Sequence, residues 1–177
     1  YLDGVVLRTF AHKGLEEYAR CSTVPVVNGL SDRFHPLQIL GDIFTIMEIK
    51  GKVAGLKVAY IGDGNNICNT LLAASMIFGF RMAVASPAAY KPKSREALDQ
   101  DGWSDTIVIS TDPVEAVEEA DVVYTDVWVS MGMEKEAARR KKIFKKYQIN
   151  KRLLDHAQRD AIVMHCLPAH RGEEITD

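Results

Sequence analysis

Long apolar runs are missing from the 177-residue sequence, in which no segment approaches the roughly 20 predominantly apolar residues that cross a bilayer. No basic-then-apolar leader opens the chain, and we therefore predict no membrane partner. An excess of positive charge is also missing, because 22 Lys and Arg stand against 24 Asp and Glu and give a formal net charge of −2. That balance predicts no nucleic-acid partner.

Cysteine is scarce, with three widely spaced residues at Cys21, Cys68 and Cys166. The spacing matches no metal-ligand pattern, so we predict no metal site and a reduced, cytoplasmic location. Hydrophobic residues make up 47% of the chain, which is enough to bury a core and excludes a disordered tail. The chain opens with Tyr1 instead of Met, directly before an apolar run, and we expect it to be incomplete.

Short β-branched runs alternate with longer helical stretches along the chain. From residue 57 onward the short runs are almost continuously apolar, which is typical of parallel strands covered by helices on both faces. The pattern predicts an α/β fold with a doubly wound, mainly parallel sheet. Strands are predicted at 4–8, 24–28, 57–62, 81–86, 106–110, 121–128 and 161–166, and helices at 13–20, 36–50, 66–78, 93–100, 113–119, 134–147 and 151–158.

The predicted elements divide the chain into three parts. Residues 1–33 hold two strands and a helix, too little for a core of their own, and we interpret them as the remnant of another α/β domain. Residues 34–50 form a connecting helix, and residues 51–177 form the main doubly wound domain. Ligands of such sheets bind at the carboxyl ends of the strands, which directs attention to 62–66, 110–111, 126–131 and 165–168.

A glycine-rich turn, Gly62-Asp63-Gly64-Asn65-Asn66, follows the first strand of the main domain. It resembles the start of a dinucleotide fingerprint, but Ile67 stands where the third glycine is needed, and no acidic residue ends the next strand. Two interpretations stay open. The segment is a tight turn with Asn65 or Asn66 capping a helix, or an Asn amide binds a small polar ligand at the helix N-terminus.

His35 precedes a predicted helix and Gln38 follows three residues later, so the two side chains can converge beyond the first turn. A histidine there can donate to an oxygen that gains negative charge, and the glutamine amide can orient a planar substrate. The alternative is a capping His35 and a solvated Gln38. Arg8 ends an apolar strand and is either a surface ion-pair residue or a donor to phosphate or a carbonyl.

Asp126 lies near the end of an apolar run, where a carboxylate is costly to bury without a partner. The partner is either a cation or backbone of the chain itself, or a ligand. Cys166 ends the last predicted strand between His165 and the Leu167-Pro168 turn. A cysteine there is either a small buried hydrophobe or part of a site. The charged run 134–146 is interpreted as a solvated helix face.

Taken together and in this order, these segments closely resemble the ornithine carbamoyltransferases. The matching text is HPLQIL (35–40), GDGNN (62–66), TDVWVSMG (125–132) and HCLPAHRGEE (165–174). The aspartate carbamoyltransferases share the His-Pro-x-Gln helix but generally lack the Ser-Met-Gly and His-Cys-Leu-Pro segments. The resemblance covers the whole chain.

The resemblance implies a role for each matching position. Arg8, His35 and Gln38 would hold the carbamoyl end of carbamoyl phosphate, and the backbone of Cys166 and Leu167 would meet its amide. The residues that would hold L-ornithine are Asn66, Asp126, Ser130 and Met131. Cys166, His35, Arg8 and Asp126 would be the catalytic residues, and no metal or organic cofactor is implied.

The implied reaction transfers the carbamoyl group to the side-chain amine of ornithine and yields citrulline and phosphate. The family's phosphate-cradling Ser-Thr-Arg-Thr segment and its C-terminal helix have no match in residues 1–177. We therefore expect this polypeptide alone to be inactive in a citrulline assay. The family is commonly trimeric through its first domain, so we expect the full-length relative to be a homotrimer.

Three alternatives stay open at this point. The amine could belong to putrescine, N-acetylornithine or aspartate, although Ser130-Met131-Gly132 favours a free α-amino acid. The chain could be a non-catalytic Rossmann-like binding module, although the joint presence of His35, Gln38, Asp126 and Cys166 argues against it. A nucleotide-dependent oxidoreductase is disfavoured by Ile67.

Overall fold

The computed structural model describes residues 1–92, 106–130 and 132–176. Its strands are β1 (Val5–Arg8), β2 (Val26–Leu30), β3 (Lys57–Ile61), β4 (Arg81–Ala85), β5 (Ile107–Ser110), β6 (Val122–Thr125) and β7 (Ile162–His165). Its α-helices are α1 (His12–Cys21), α2 (Pro36–Lys50), α3 (Asn66–Phe78), α4 (Pro113–Val117), α5 (Ala137–Phe144) and α6 (Lys151–Leu154). Short 3₁₀ turns lie at Ala88–Tyr90, Glu134–Glu136 and Lys145–Tyr147.

Five of these strands form one parallel sheet in the order β5-β4-β3-β6-β7. The chain runs outward from β3 through β4 to β5 and then returns to β6 on the other side of β3. The strand order therefore reverses between β3 and β6, which is where a doubly wound sheet opens a crevice for a ligand. The predicted α/β class and parallel pairing are confirmed.

Helices cover both faces of this sheet. Alternate residues of β3, such as Val58 and Tyr60, pack in one core with the apolar side chains of α2 and α3. Ala59 and Ile61 face the opposite core, which holds side chains of α4, α5 and α6. Because both faces are dry, the strands need apolar residues at every position, which explains their unbroken hydrophobic runs.

The two longest helices begin and end where the sequence predicts. Pro36 occupies the first turn of α2, where its missing N–H costs no hydrogen bond. Asn65 caps α3 by accepting hydrogen bonds from the N–H groups of Ile67 and Cys68. Gly79 ends α3 with φ 70°, the left-handed conformation that glycine adopts without strain.

Several predicted segments differ from the structure by two residues or more at one or both ends. β2 lies two residues later than predicted, because Pro25 has no N–H for the ladder. The strand predicted at 121–128 ends at Thr125, since the Asp126 carboxylate accepts the N–H of Val127 at 2.7 Å and turns the chain out of the sheet. The helix predicted at 134–147 is an α-helix over Ala137–Phe144 between two 3₁₀ turns.

The helix predicted at 151–158 ends at Leu154. The backbone beyond it pairs elsewhere: the His156 carbonyl accepts the N–H of Glu119, and the Gln158 N–H donates to Ala120. These bonds draw the chain away from the helix. The helix predicted at 93–100 lies outside the described residues.

A second, two-stranded parallel sheet consists of β1 and β2 and lies beside α2. Side chains from the first turns of α3 fix the segment between the two sheets. Asn66 Nδ2 donates to the Ser31 carbonyl at 2.9 Å, and Asn69 Nδ2 donates to the Arg33 carbonyl at 3.2 Å. In the described part of the chain, no helix is long and apolar enough to cross a membrane.

Candidate active site

A cleft of about 1400 Å³ lies between the carboxyl ends of the two sheets. Every described residue that the sequence singled out as a site residue contributes to its wall, and these are Arg8, His35, Gln38, Asn66, Asp126, Ser130, Cys166 and Leu167. Met131 lies outside the described residues. Segments far apart in the chain thus meet at one opening, as the strand-end rule for parallel sheets requires.

Asp126 is the centre of the hydrogen bonds in this cleft. Its side chain is 7% exposed and stands directly after β6, at the point where the strand order reverses. Oδ1 accepts the Cys166 thiol at 2.9 Å and the Val127 N–H at 2.7 Å, while Oδ2 accepts the Asn65 amide at 2.6 Å. A carboxylate offers about four acceptor positions, so this one retains capacity for a ligand.

The Cys166 side chain is held as a thiol. Burial raises its pKa well above the ordinary value, and the negative charge of Asp126 raises it further. The free site therefore presents an S–H group that donates to the carboxylate and carries no thiolate. Cys166 is consequently a poor nucleophile in this state.

The turn after β7 is fixed by His165. The Leu167 N–H donates to Nδ1 of this histidine at 2.8 Å, so the ring hydrogen sits on Nε2, which lies 3.2 Å from the carboxylate of Glu174. Leu167 adopts a left-handed φ of 57°, and the Leu167–Pro168 peptide bond is cis. The hydrogen bond from Leu167 to His165 holds the main chain of this turn at the cleft.

The turn between β3 and α3 supplies the amides of the site. Asn65 uses its Oδ1 to cap the helix and its Nδ2 to reach Asp126, so it serves the helix and the cleft together. Asn66 lines the cleft as well, and its amide faces the Ser31 carbonyl. The sequence left the choice of capping residue open, and the structure assigns it to Asn65.

Gly64 occupies a position that admits no side chain. A Cβ there would lie 2.2 Å from the backbone nitrogen of Pro92. The backbone at Pro92 thus packs directly against Gly64 and occupies the space that a pyrophosphate would need at this turn. Together with the buried Ile67, this packing argues against dinucleotide binding.

His35 occupies the N-cap position of α2, but its side chain makes no capping bond. Its N–H donates to Thr70 Oγ1 at 2.8 Å, which ties the start of α2 to α3. Burial lowers the pKa of the imidazole, and the positive charge of Arg8 lowers it further. The ring is therefore neutral at pH 7, and its buried Nδ1 has no hydrogen-bond partner among the described residues.

Arg8 and Gln38 lie on the same side of the cleft as His35. Arg8 ends β1 with an exposed side chain and, within the described ranges, forms no ion pair through its guanidinium. Gln38 is half-buried, and its Nε2 donates to Asp42 at 3.1 Å. The interpretation of Gln38 as a solvated side chain is therefore wrong.

Arg140 is a cleft residue that the sequence analysis missed. Its side chain is 3% exposed, forms an ion pair with Asp63, donates from Nε to the Trp128 carbonyl at 2.5 Å, and lies over the Tyr90 ring at 4.7 Å. The run 134–146 is thus not solely a solvated face. Its position on one helical stripe with Phe144 and Tyr147, four and seven residues on, is the signal that could have revealed it.

Among the described residues, two groups of side chains could in principle bind a metal ion. The donor atoms of Asp126, His165 and Cys166 lie within 4.8 Å of one another, but all three are engaged by hydrogen bonds within the protein. A second group, His170, Glu173 and Glu174, is tied up by bonds to His165, to the His170 N–H and to Lys141. In the second group, however, the buried Glu174 Oε2 has no hydrogen-bond partner among the described residues.

Comparison with known families agrees with this geometry. The family described as "Aspartate/ornithine carbamoyltransferase, Asp/Orn binding domain" matches residues 54–177. The companion description, "Aspartate/ornithine carbamoyltransferase, carbamoyl-P binding domain", matches residues 1–48.

Individual relatives cover the whole chain. The ornithine carbamoyltransferase of Methanoculleus marisnigri is 54% identical over 178 residues, which are 100% of this chain and 57% of that protein. That of Methanocaldococcus jannaschii is 50% identical and covers 100% of this chain and 60% of its own length. The chain therefore spans about three fifths of the length of the curated relatives it matches.

Solved structures give the same result. The ornithine carbamoyltransferase from Pyrococcus furiosus superposes with a TM-score of 0.93 at 47% identity, covering 100% of this chain and 58% of that one. The anabolic enzyme from Campylobacter jejuni also gives 0.93, at 43% identity, with 99% and 60% coverage. With a matching family description over more than half of its residues, the chain belongs to the aspartate/ornithine carbamoyltransferase family.

Proposed function

We propose that the protein transfers the carbamoyl group of carbamoyl phosphate to the side-chain amine of L-ornithine, yielding L-citrulline and phosphate. The observation that carries the proposal is the Asp126 carboxylate at the floor of the cleft, bonded to the Cys166 thiol and the Asn65 amide with acceptor capacity to spare. A buried anion beside a thiol suits an amino group that must be held and then lose a proton.

The carbamoyl end is assigned to the Arg8, His35 and Gln38 side of the cleft. The Arg8 guanidinium carries a permanent charge and the neutral His35 ring can donate one hydrogen, so both suit a carbonyl oxygen that becomes an oxyanion. Gln38 and the backbone of Cys166 and Leu167 would meet the carbamoyl amide. Loss of one oxyanion donor typically costs about 3–4 kcal/mol of transition-state stabilisation.

Ornithine is assigned to the other side of the cleft, with Asn66, Asp126 and Ser130 as its contacts and Met131 as a further one. In the reaction, the neutral amine forms a C–N bond to the carbamoyl carbon, and a tetrahedral intermediate results. Its collapse breaks the C–O bond to phosphate, which leaves with the electron pair. The proton released by the attacking nitrogen passes to the Asp126–Cys166 pair or to the departing phosphate.

The ornithine side-chain amine must be neutral before it can attack the carbamoyl carbon. An alkylamine like that of lysine has a reference pKa of about 10.4, so making it neutral at pH 7 costs about 4.6 kcal/mol. Desolvation in a closed cleft reduces that cost, because it disfavours the ammonium form. The Cys166 thiol, whose pKa burial and Asp126 raise, stays protonated beside the amine.

The test is a citrulline assay on the full gene product, with putrescine offered in parallel as the amine. We expect citrulline formation that requires both substrates, and a far slower formation of carbamoylputrescine. Asp126→Asn should lower kcat/KM for ornithine by at least 100-fold. Asp121→Asn, at the other end of β6 beside the Lys57 N–H, is the matched control. Absence of citrulline formation, or carbamoylation of putrescine in preference to ornithine, would refute the proposal.

Assembly and location belong to the proposal as well. We infer a homotrimer for the full gene product, as the family resemblance implies, and light scattering in solution tests it. We infer a cytoplasmic location, supported by the three cysteines, none of which is in a disulfide. Fractionation of cells that express the gene tests the location.

A further inference from the structure

A buried hydrogen-bonded chain lies directly behind Gln38. The carboxylate of Asp42 is 7% exposed and receives two bonds, from Gln38 Nε2 to Oδ1 at 3.1 Å and from the Tyr124 hydroxyl to Oδ2 at 2.7 Å. Tyr124 lies in the middle of the sheet with no exposed surface. Asp42 stands four residues after Gln38, one turn along α2, so both side chains project from the same helix face.

This chain determines which way the Gln38 amide points. Burial raises the pKa of Asp42, whereas the hydrogen bonds from Tyr124 and Gln38 act in the opposite direction and favour the ionised form. The ionised carboxylate only accepts hydrogen bonds, so the group of Gln38 that faces Asp42 must be its NH₂. The carbonyl oxygen Oε1 is then the end left for the cleft, and no donor among the described residues reaches it. Both carboxylate oxygens of Asp42 accept hydrogen bonds, because the Tyr124 hydroxyl donates to Oδ2. The ionised Asp42 therefore has no hydrogen to donate to Gln38 Oε1 if the amide were reversed.

We propose that Asp42 and Tyr124 are positioning residues that fix the Gln38 amide with its carbonyl oxygen in the cleft, and so select an acyl phosphate bearing an NH₂ group. The inference rests on the proposed function. An acceptor at this point matches the carbamoyl amide, which has hydrogens to donate. The methyl group of acetyl phosphate has none and would leave Oε1 without a partner.

The decisive variant is Asp42→Asn in the full gene product. Its side chain has nearly the same shape but can donate through Nδ2 toward Gln38 while Oδ1 still accepts from Tyr124. Gln38 then turns its oxygen toward residue 42 and its NH₂ toward the cleft, where it meets the carbamoyl NH₂. We expect kcat/KM for carbamoyl phosphate to fall 10- to 100-fold, while the inhibition constant of acetyl phosphate changes less than threefold.

A second variant restores the acceptor. In Gln38→Glu/Asp42→Asn the carboxylate and the amide exchange places, so Glu at 38 can accept from residue 42 with one oxygen and from the substrate with the other. We expect at least a fivefold recovery of kcat/KM over Asp42→Asn. Tyr124→Phe should also lower kcat/KM for carbamoyl phosphate relative to the affinity for acetyl phosphate, but less than Asp42→Asn does. Tyr147 is a buried tyrosine whose hydroxyl donates to the Thr111 carbonyl, and Tyr147→Phe should leave this ratio unchanged.

The outcomes separate this inference from the proposed function. Suppose that the unmodified protein forms citrulline, and that Asp42→Asn leaves kcat/KM for carbamoyl phosphate unchanged relative to the affinity for acetyl phosphate. This result overturns the positioning role alone. Equal weakening of both acyl phosphates, without recovery in the double variant, also overturns it and indicates a purely structural part for Asp42. Absence of citrulline formation in the unmodified protein overturns the proposed function instead.

Discussion

The hydrogen bonds of Asp126 join three different segments of the chain. The residue itself sits after β6, Asn65 sits after β3, and Cys166 sits after β7. Each of these bonds has a carboxylate acceptor, which makes it stronger than a bond between neutral groups. One side chain therefore organises the strand ends and, together with burial, keeps the thiol protonated.

Thiol reactivity tests this arrangement. Alkylation requires the thiolate, and burial raises the pKa values of Cys68 and Cys166, the latter also through Asp126. At pH 8 iodoacetamide should modify the exposed Cys21 first, with the other two thiols at least tenfold slower, as peptide mass mapping would report.

Asp126→Asn removes a negative charge that raises the pKa of Cys166 but not that of Cys68. The labelling rate of Cys166 should then rise several-fold, while the labelling rate of Cys68 stays constant and serves as the internal control. A rise at both cysteines would indicate general loosening of the fold and would contradict the proposed electrostatic cause.

His35 offers a test by pH. Its pKa is lowered from 6.5, first by burial and second by Arg8, against smaller opposing effects of Asp126 and Asp42. The folded protein therefore resists protonation, and its free energy of unfolding should fall as the pH drops from about 6.5 toward the lowered pKa. An NMR titration of the ring should give a midpoint below 6.5.

Arg8→Met removes the positive charge that lowers the pKa of His35 and should raise that midpoint. Lys13→Met takes a positive charge from the same cleft wall without being among the groups that shift His35, so its effect should be smaller. An unchanged midpoint in Arg8→Met would show that burial alone sets the pKa.

At the level of elements, α5 is attached to the sheet through Arg140. This side chain joins the helix to Asp63 in the turn after β3 and to the Trp128 carbonyl in the loop after β6. Both partners belong to segments that carry site residues. The helix thereby holds the loop that leads to Ser130 in place.

Removal of this attachment should cost stability. Arg140→Met removes one partner of the buried ion pair between Arg140 and the 8%-exposed Asp63, and such a loss typically costs about 3–5 kcal/mol. Urea unfolding measures the loss. The exposed neighbour variant Arg139→Met should stay within about 0.5 kcal/mol of the unmodified protein.

The pairing itself is tested by the double variant Asp63→Asn/Arg140→Met, which removes both charges. It should be more stable than Arg140→Met alone, because it also removes the buried carboxylate charge that pairs with Arg140. Equal stability of the two would show that Arg140 acts through packing against Tyr90 and Phe144 and not through its charge.

At the scale of the whole molecule, the two sheets are connected by side chains of α3. Asn69 donates to the Arg33 carbonyl, and Thr70 accepts the His35 N–H. These bonds fix the segment that carries His35 against the main sheet. The geometry of the cleft therefore depends on α3 as much as on the strand ends.

Hydrogen exchange can measure this connection. Asn69→Ala and Thr70→Val should each speed amide exchange in β1, β2 and residues 31–35, with β3 to β7 unaffected. Ser75→Ala, which removes a hydroxyl bonded to the Leu72 carbonyl on the same helix, should leave both sheets unchanged. Faster exchange throughout the main sheet would contradict a local connection.

Much of this architecture could be predicted from the sequence. Unbroken apolar runs indicated parallel strands, and the helices predicted at 36–50 and 66–78 have those bounds in the structure. The division into 1–33, 34–50 and 51–177 stays a prediction. So do the roles of the eight described cleft residues, whose placement in one cleft is observed.

Other features depended on distant contacts and could not be predicted. Backbone hydrogen bonds between residues 119–120 and residues 156–158 draw the chain away after α6, and no local pattern in the sequence predicts them. The helical stripe shared with Phe144 and Tyr147 could have revealed that Arg140 is buried, but its ion-pair partner could not be predicted, because Asp63 lies 77 residues away. Asp42 shares that difficulty, since Tyr124 is 82 residues distant.

The double duty of Asn65 has a consequence for chemical ageing. Aspartate caps helices about as well as asparagine, so the fold would tolerate the exchange. The cleft would not, because a carboxylate at 65 would face that of Asp126 across the 2.6 Å now spanned by an amide hydrogen bond. Spontaneous deamidation of Asn65 would therefore disrupt the cleft while leaving the protein folded.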